Sequence, residues 1–181
     1  MSLSERENFL KTVIFDDPEW ISTAYMSFYH ATWRKYRGAL EDLVLRHPLI
    51  YHDYKRGSVD FDNSPPGSRA GEYFEDNWGC VWYVAPGGGG LMGQVVHHPL
   101  SDWQALATYT PPDPLLLGDK RPWDWPKIQA EVEDRKRRGQ VAWGQVGWLF
   151  DLLYYLRGFE NLMVDFATHE PRLHDLIEMV T

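Results

Sequence analysis

The sequence predicts an α/β protein built on a parallel sheet, and three observations carry that expectation. Segments rich in β-branched and aromatic residues alternate with segments whose apolar residues recur at helical spacing. Residues 140–146 (QVAWGQV) are apolar on both faces, the pattern of a strand covered on both sides. The composition, 44% apolar and 15% aromatic with nine Trp among 181 residues, suits one ring-rich core and a single domain over residues 1–181.

In chain order, Ser4 and Glu7 form a capping box for a first helix with Phe9, Leu10, Val13 and Ile14 on one face, ended near Asp17-Pro18. Residues 20–28 (WISTAYMSF) have strand composition. A second helix carries Trp33, Tyr36, Leu40, Leu43 and Val44 and stops at His47-Pro48. Residues 51–71 are polar and broken by Pro65-Pro66-Gly67, with one short strand expected at 59–61. Residues 73–84 are aromatic and extended. Ser101 and Gln104 suggest a capping box for a short helix with Trp103 and Leu106 inward, closed by the Pro111–Pro114 run. Pro126 opens a charged helix ending at Gly139, and its basic run Arg135-Lys136-Arg137-Arg138 complements the helix dipole. Three further helices follow 140–146, over residues 148–157, 159–168 and 171–180, with Gly158 as the cap between the first two.

Charge and residue usage exclude several function classes. A net charge of −8 argues against a general affinity for nucleic acid, which needs a basic surface to displace counterions. No apolar run approaches the roughly 20 residues of a membrane span, and charges occupy the N-terminus where a signal peptide is apolar. The single cysteine, Cys80, leaves no internal disulfide or multi-cysteine zinc site within the chain. A cytoplasmic location is expected.

Residues 84–93 (VAPGGGGLMG) contain G-x-G-x-x-G at Gly88, Gly90 and Gly93, but strand-like sequence follows where a dinucleotide fingerprint needs a helix. The glycines read as a hairpin tip beside a pocket mouth rather than a phosphate cradle. His97 and His98 are adjacent, so on a strand they point to opposite faces and do not share a metal; one of them alone could line a pocket. Glu75-Asp76, beside Trp78, is a carboxylate pair that an aromatic neighbour can desolvate. Tyr154 and Tyr155 on an otherwise apolar helix need partners for their hydroxyls. Glu160 and Asp165 read as the polar face of the next helix.

Taken together, Arg6-Glu7-Asn8-Phe9-Leu10 with Pro18, Asp76-Asn77-Trp78-Gly79-Cys80-Val81-Trp82, Gly93 through Trp103 and Leu156 through Met163 resemble the uroporphyrinogen decarboxylase superfamily, in its decarboxylase-like branch that includes relatives of corrinoid methyltransferases. The resemblance implies a TIM (β/α)8 barrel, of which this chain would be the N-terminal half with a helical N-terminal excursion and a β-hairpin insertion, its open edge completed by another chain or in a homodimer. It implies that Asp76 holds pyrrole nitrogens and steadies a charged ring intermediate, and that Tyr154 positions a side-chain acid. Trp78 and His97 join them as substrate-binding candidates. The small-molecule substrate would be a tetrapyrrole, decarboxylated without cofactor, or a corrinoid-bound methyl group, with corrinoid and zinc as cofactors and the zinc ligands in a C-terminal half. The alternative is a non-catalytic barrel fragment that binds a ligand or partner through its aromatic surface. A sugar hydrolase using Glu75 or Asp76 lacks a second carboxylate placed by motif.

Overall fold

The computed structural model describes residues 3–22, 28–48, 50, 51, 53–64, 67–86, 93–116, 121–144 and 147–181. Helix α1 (Glu5–Val13) starts at Ser4, whose hydroxyl accepts from the Glu7 amide while Glu7 reaches back to the Ser4 amide. Its buried Asn8 donates to Trp20 O (2.8 Å) and Ser22 Oγ (3.0 Å), pinning 20–22 against the helix. That segment has no strand pairing, and residues 23–27 of the expected strand lie outside the described residues.

Helix α2 (His30–Leu45) forms where the periodicity predicts, although Tyr36 and Leu43 of the expected stripe are exposed and at Arg37 the backbone leaves helical values (φ 45°) and breaks the rod in two. It buries Trp33, Leu40 and Val44 under Phe28, Tyr51, Tyr54, Val59 and Phe61. Residues 59–61 form no strand: Val59 and Phe61 are ring and aliphatic cover for α2 instead. Trp33 stacks on Tyr54 with centroids 5.4 Å apart. Glu41, buried beneath, accepts from the Tyr54 hydroxyl and the Gly57 amide, both at 2.7 Å. These bonds hold its carboxyl below the usual range, the Gly57 bond contributing most.

The sheet is a meander of three short antiparallel strands, β1 (Tyr73–Glu75), β2 (Val81–Tyr83) and β3 (Gln94–His97), in that spatial order. Trp82 faces Phe74 on one side and Val95 on the other, and a register shift follows Val81. Between β2 and β3 lies the glycine run, of which Gly87–Gly90, Leu91 and Met92 fall outside the described residues. A 3-10 helix (Trp103–Ala107) comes next, capped by Asp102, whose side chain accepts from the Gln104 amide; the cap expected at Ser101 is one residue late.

Helix α3 (Trp125–Arg137) begins at Asp124 with Pro126 in its first turn. Its basic end is neutralised locally, Arg138 by Asp134 (2.8 Å) and Arg135 by Asp53 (2.5 Å). Helices α4 (Leu149–Arg157), α5 (Phe159–Thr168) and α6 (Arg172–Val180) close the chain with bounds within a residue of those expected. They bury Leu153, Leu156, Leu162, Leu173 and Leu176 together with Cys80, Leu100 and Trp103 of the hairpin side, the larger of the two cores.

The expected α/β class, and the TIM half-barrel with it, is therefore corrected. The described strands are antiparallel and successive, without a helix between them, whereas half of a (β/α)8 barrel needs parallel strands each followed by a helix. Helices dominate the fold. The residues that misled are 140–146: the described part, 140–144, is not a strand. Val141 donates its amide to Glu5 Oε1 rather than to a ladder, and Trp143, 53% exposed, lays its ring edge-on against Phe9 at 5.0 Å. An apolar run can cover a helix as readily as it can fill a sheet, and periodicity alone does not separate the two.

Candidate functional site

The hairpin is locked onto the end of α4, and that joint makes a groove. The last four carbonyls of a helix have no partner within it. In α4, Tyr154 O accepts from the Gly158 amide (2.8 Å), and Tyr155 O from His98 Nδ1 (2.7 Å) and from the Cys80 thiol (3.3 Å). Leu156 O accepts from the Leu100 amide (2.9 Å) and Arg157 O from Asn161 Nδ2 (3.1 Å). All four are satisfied, three of them by side chains or backbone distant in sequence or in the next helix. Gly158 turns the chain at φ 83°, and a Cβ there would sit 3.4 Å from the His98 ring.

Beneath the joint lies a buried ion pair. Arg157 Nε meets Asp165 Oδ2 at 2.7 Å, and its Nη1 donates to the carbonyls of Leu100 (2.8 Å) and Ser101. Asp165 Oδ1 also accepts from Trp103 Nε1 at 3.2 Å, and the guanidinium lies 4.3 Å from the Trp103 ring centroid. Asp165, expected on a polar face, is thus an interior anion that joins α5 to α4 and to the chain after β3.

The groove itself, about 460 Å3, is walled by Trp82, Val95, His98, Tyr154, Tyr155 and Phe159. Its rings touch in series: Trp82 to Tyr155 at 4.6 Å, Tyr155 to Tyr154 at 4.2 Å, Tyr154 to Phe159 at 6.3 Å. Burial, then the hydrogen bond and charge of Tyr154, push the Tyr155 phenol well above its ordinary range, so it stays a neutral hydrogen-bonding group. A carbonyl only accepts, so the proton on His98 is fixed at Nδ1 by Tyr155 O. In that tautomer Nε2 is left as the acceptor, with no partner among the described residues.

Of the four residues singled out by sequence, Tyr154 alone lines this groove. Asp76 occupies the turn between β1 and β2: Oδ1 accepts from the amides of Trp78 (2.9 Å) and Cys80 (3.0 Å), and Oδ2 from Trp82 Nε1 (2.7 Å). It stands behind the groove and fixes the indole that forms its wall. Trp78 packs on the larger core, with its carbonyl accepting from the Tyr109 hydroxyl at 2.8 Å. His97 pairs across from Val81 and is exposed. His98, Trp82, Tyr155 and Phe159 went unselected; Trp82, His98 and Phe159 sit in the motif blocks themselves, and period-2 alternation from His97 was the available signal for His98.

No family model, no curated protein and no solved structure matches the chain. Among the described residues no three His, Cys, Asp or Glu side chains gather as metal ligands. No helix among them is long and apolar enough to cross a membrane.

Proposed function

We propose that the chain stacks a macrocyclic ring compound in the groove between the hairpin and α4, its tetrapyrrole or corrinoid character taken from the family resemblance. The observation that supports the reading most is the run of touching rings from Trp82 to Phe159, beside one histidine nitrogen with no partner among the described residues. Rings stack on rings, and a single acceptor fixes orientation, which is how concave sites of about 300–1,000 Å3 hold small molecules. Asp76 acts here as a positioning residue for Trp82. We also propose a cytoplasmic location, with which a lone buried cysteine agrees.

Turnover is the second reading, favoured by His98 Nε2 and the Tyr154 hydroxyl lining one groove as acceptor and donor of a proton. Binding is tested by titrating the protein with uroporphyrin and with hydroxocobalamin while following tryptophan fluorescence. The expected result is saturable quenching by one of the two, weakened at least tenfold in Phe159→Ser, whose side chain is exposed and whose loss leaves the core intact. Quenching that does not saturate, or that ignores Phe159→Ser, overturns the assignment. Carbon dioxide release from uroporphyrinogen, lost in His98→Gln, would raise turnover above binding.

A further inference from the structure

We infer a second ligand site, for a phosphorylated small molecule, in the hollow between the first turns of α2 and the loop that leads into β1. The hollow, about 730 Å3, is bordered by His30, Arg34 and Lys35 of α2 and by Ser64, Ser68 and Arg69 of the loop. It is independent of the aromatic groove and stands whether or not that groove binds a ring.

Charge carries the argument. Two acids also border the hollow, but each is engaged: Asp62 meets both terminal nitrogens of Arg37, and Glu72 faces Arg69 at 3.7 Å. Arg34 and Lys35 have no acidic partner among the described residues, and Lys35 Nζ rests 5.0 Å from its neighbour Tyr36's ring. In a chain of net charge −8, two cations without acids at one concavity form a positive depression in an acidic surface. Such a depression concentrates anions and steers them inward.

The rest of the lining is hydrogen-bonded into place. Arg69 Nε donates to Ser64 O at 2.9 Å, which turns the guanidinium along the loop. His30 Nε2 bonds Asp60 O at 2.8 Å and its Nδ1 lies 3.2 Å from Ser64 Oγ, tying the loop to α2. Cations and hydroxyls therefore approach the hollow from two separate elements. Donors converging from several directions suit the tetrahedral oxygens of a phosphoryl group better than a planar carboxylate. The volume exceeds a lone phosphate and leaves room for an organic moiety.

Isothermal titration with inorganic pyrophosphate as the probe, and citrate as the carboxylate comparison, tests the site at fixed ionic strength. Wild type is expected to bind pyrophosphate saturably and at least tenfold more tightly than citrate. Arg34→Gln with Lys35→Gln, both exposed, should lose at least tenfold in affinity with unchanged circular dichroism. Lys127→Gln with Lys136→Gln, which removes the same charge from α3, should bind as wild type. Unsaturable heat, citrate binding as tightly as pyrophosphate, or an equal loss in the two double variants overturns the proposal.

Discussion

Asp76 illustrates how one side chain can be read two ways at the residue scale. Its sequence setting, an acid before Trp-Gly, is that of a desolvated functional carboxylate, whereas its three N–H donors make it the organiser of a turn. Asp76→Asn replaces one acceptor oxygen by a donor facing either the Trp82 indole or the two amides. Loss of a charged acceptor costs about 1–3 kcal/mol. Chemical denaturation should show that loss together with a shifted Trp82 emission; a variant as stable as wild type would remove the positioning role. Cys80 gives a second residue-scale outcome. Burial pushes its thiol up to about 12, so little thiolate exists at neutral pH. Modification by a disulfide reagent should follow unfolding, and rapid labelling of the native protein would contradict its placement.

At the scale of elements, α2 and α4–α6 were legible from their apolar spacing, and terminal signals marked the others: Ser4 for α1, Pro126 for the charged α3, which buries none of its residues, and Gly158 between α4 and α5. The hairpin was half legible, as extended sequence around a glycine run, while its division into β1 and β2 depends on the side chain of Asp76 and on Gly79, which turns at φ 75°. Residues 140–144 misled because packing partners, here Phe9 of α1, lie far away in sequence. Asp165 misled because spacing places a charge on a face but cannot show that a buried Arg157 awaits it. Asp165→Ala leaves that guanidinium unpaired inside the protein, a change that costs about 3–5 kcal/mol. Replacing both, as Arg157→Met with Asp165→Leu, should cost less than Asp165→Ala alone, since no bare charge remains. Equal losses in urea melts would show that packing rather than charge governs the joint.

Over the whole molecule, two unequal cores among the described residues share the stability: the hairpin with α4–α6, and the smaller cluster around Trp33 of α2. The smaller one is sensitive to acid. Glu41 is held below its ordinary value of 4.5 by the Gly57 amide and the Tyr54 hydroxyl, so its contribution is complete above about 4.5 and disappears as pH falls through its folded value. Glu41→Gln should flatten the acid limb of a stability profile, and an unchanged limb would relieve Glu41 of that role. Tyr54 answers at the other end, its phenol raised from 10 to about 12 chiefly by burial, with loss expected as pH climbs across that interval. Hydrogen exchange should be slowest in the amides of α4 near Leu153 and Leu156 and faster in α2. The candidate groove was accessible to sequence only in part, since its walls come from positions 82, 98, 154, 155 and 159, and the contact between them is a product of the fold.

The four satisfied carbonyls at the end of α4 also set an order of events in time. Helices α4 to α6 are neighbours in sequence and can pair early, but three donors to Tyr155 and Leu156 come from Cys80, His98 and Leu100, across loops of more than fifty residues whose closure is slow relative to helix formation. The hairpin is accordingly expected to dock late, after the folding barrier. Variants at the joint, His98→Ala among them, should accelerate unfolding while leaving the folding limb of a chevron nearly unmoved. A slowed folding limb would instead put the hairpin in the nucleus.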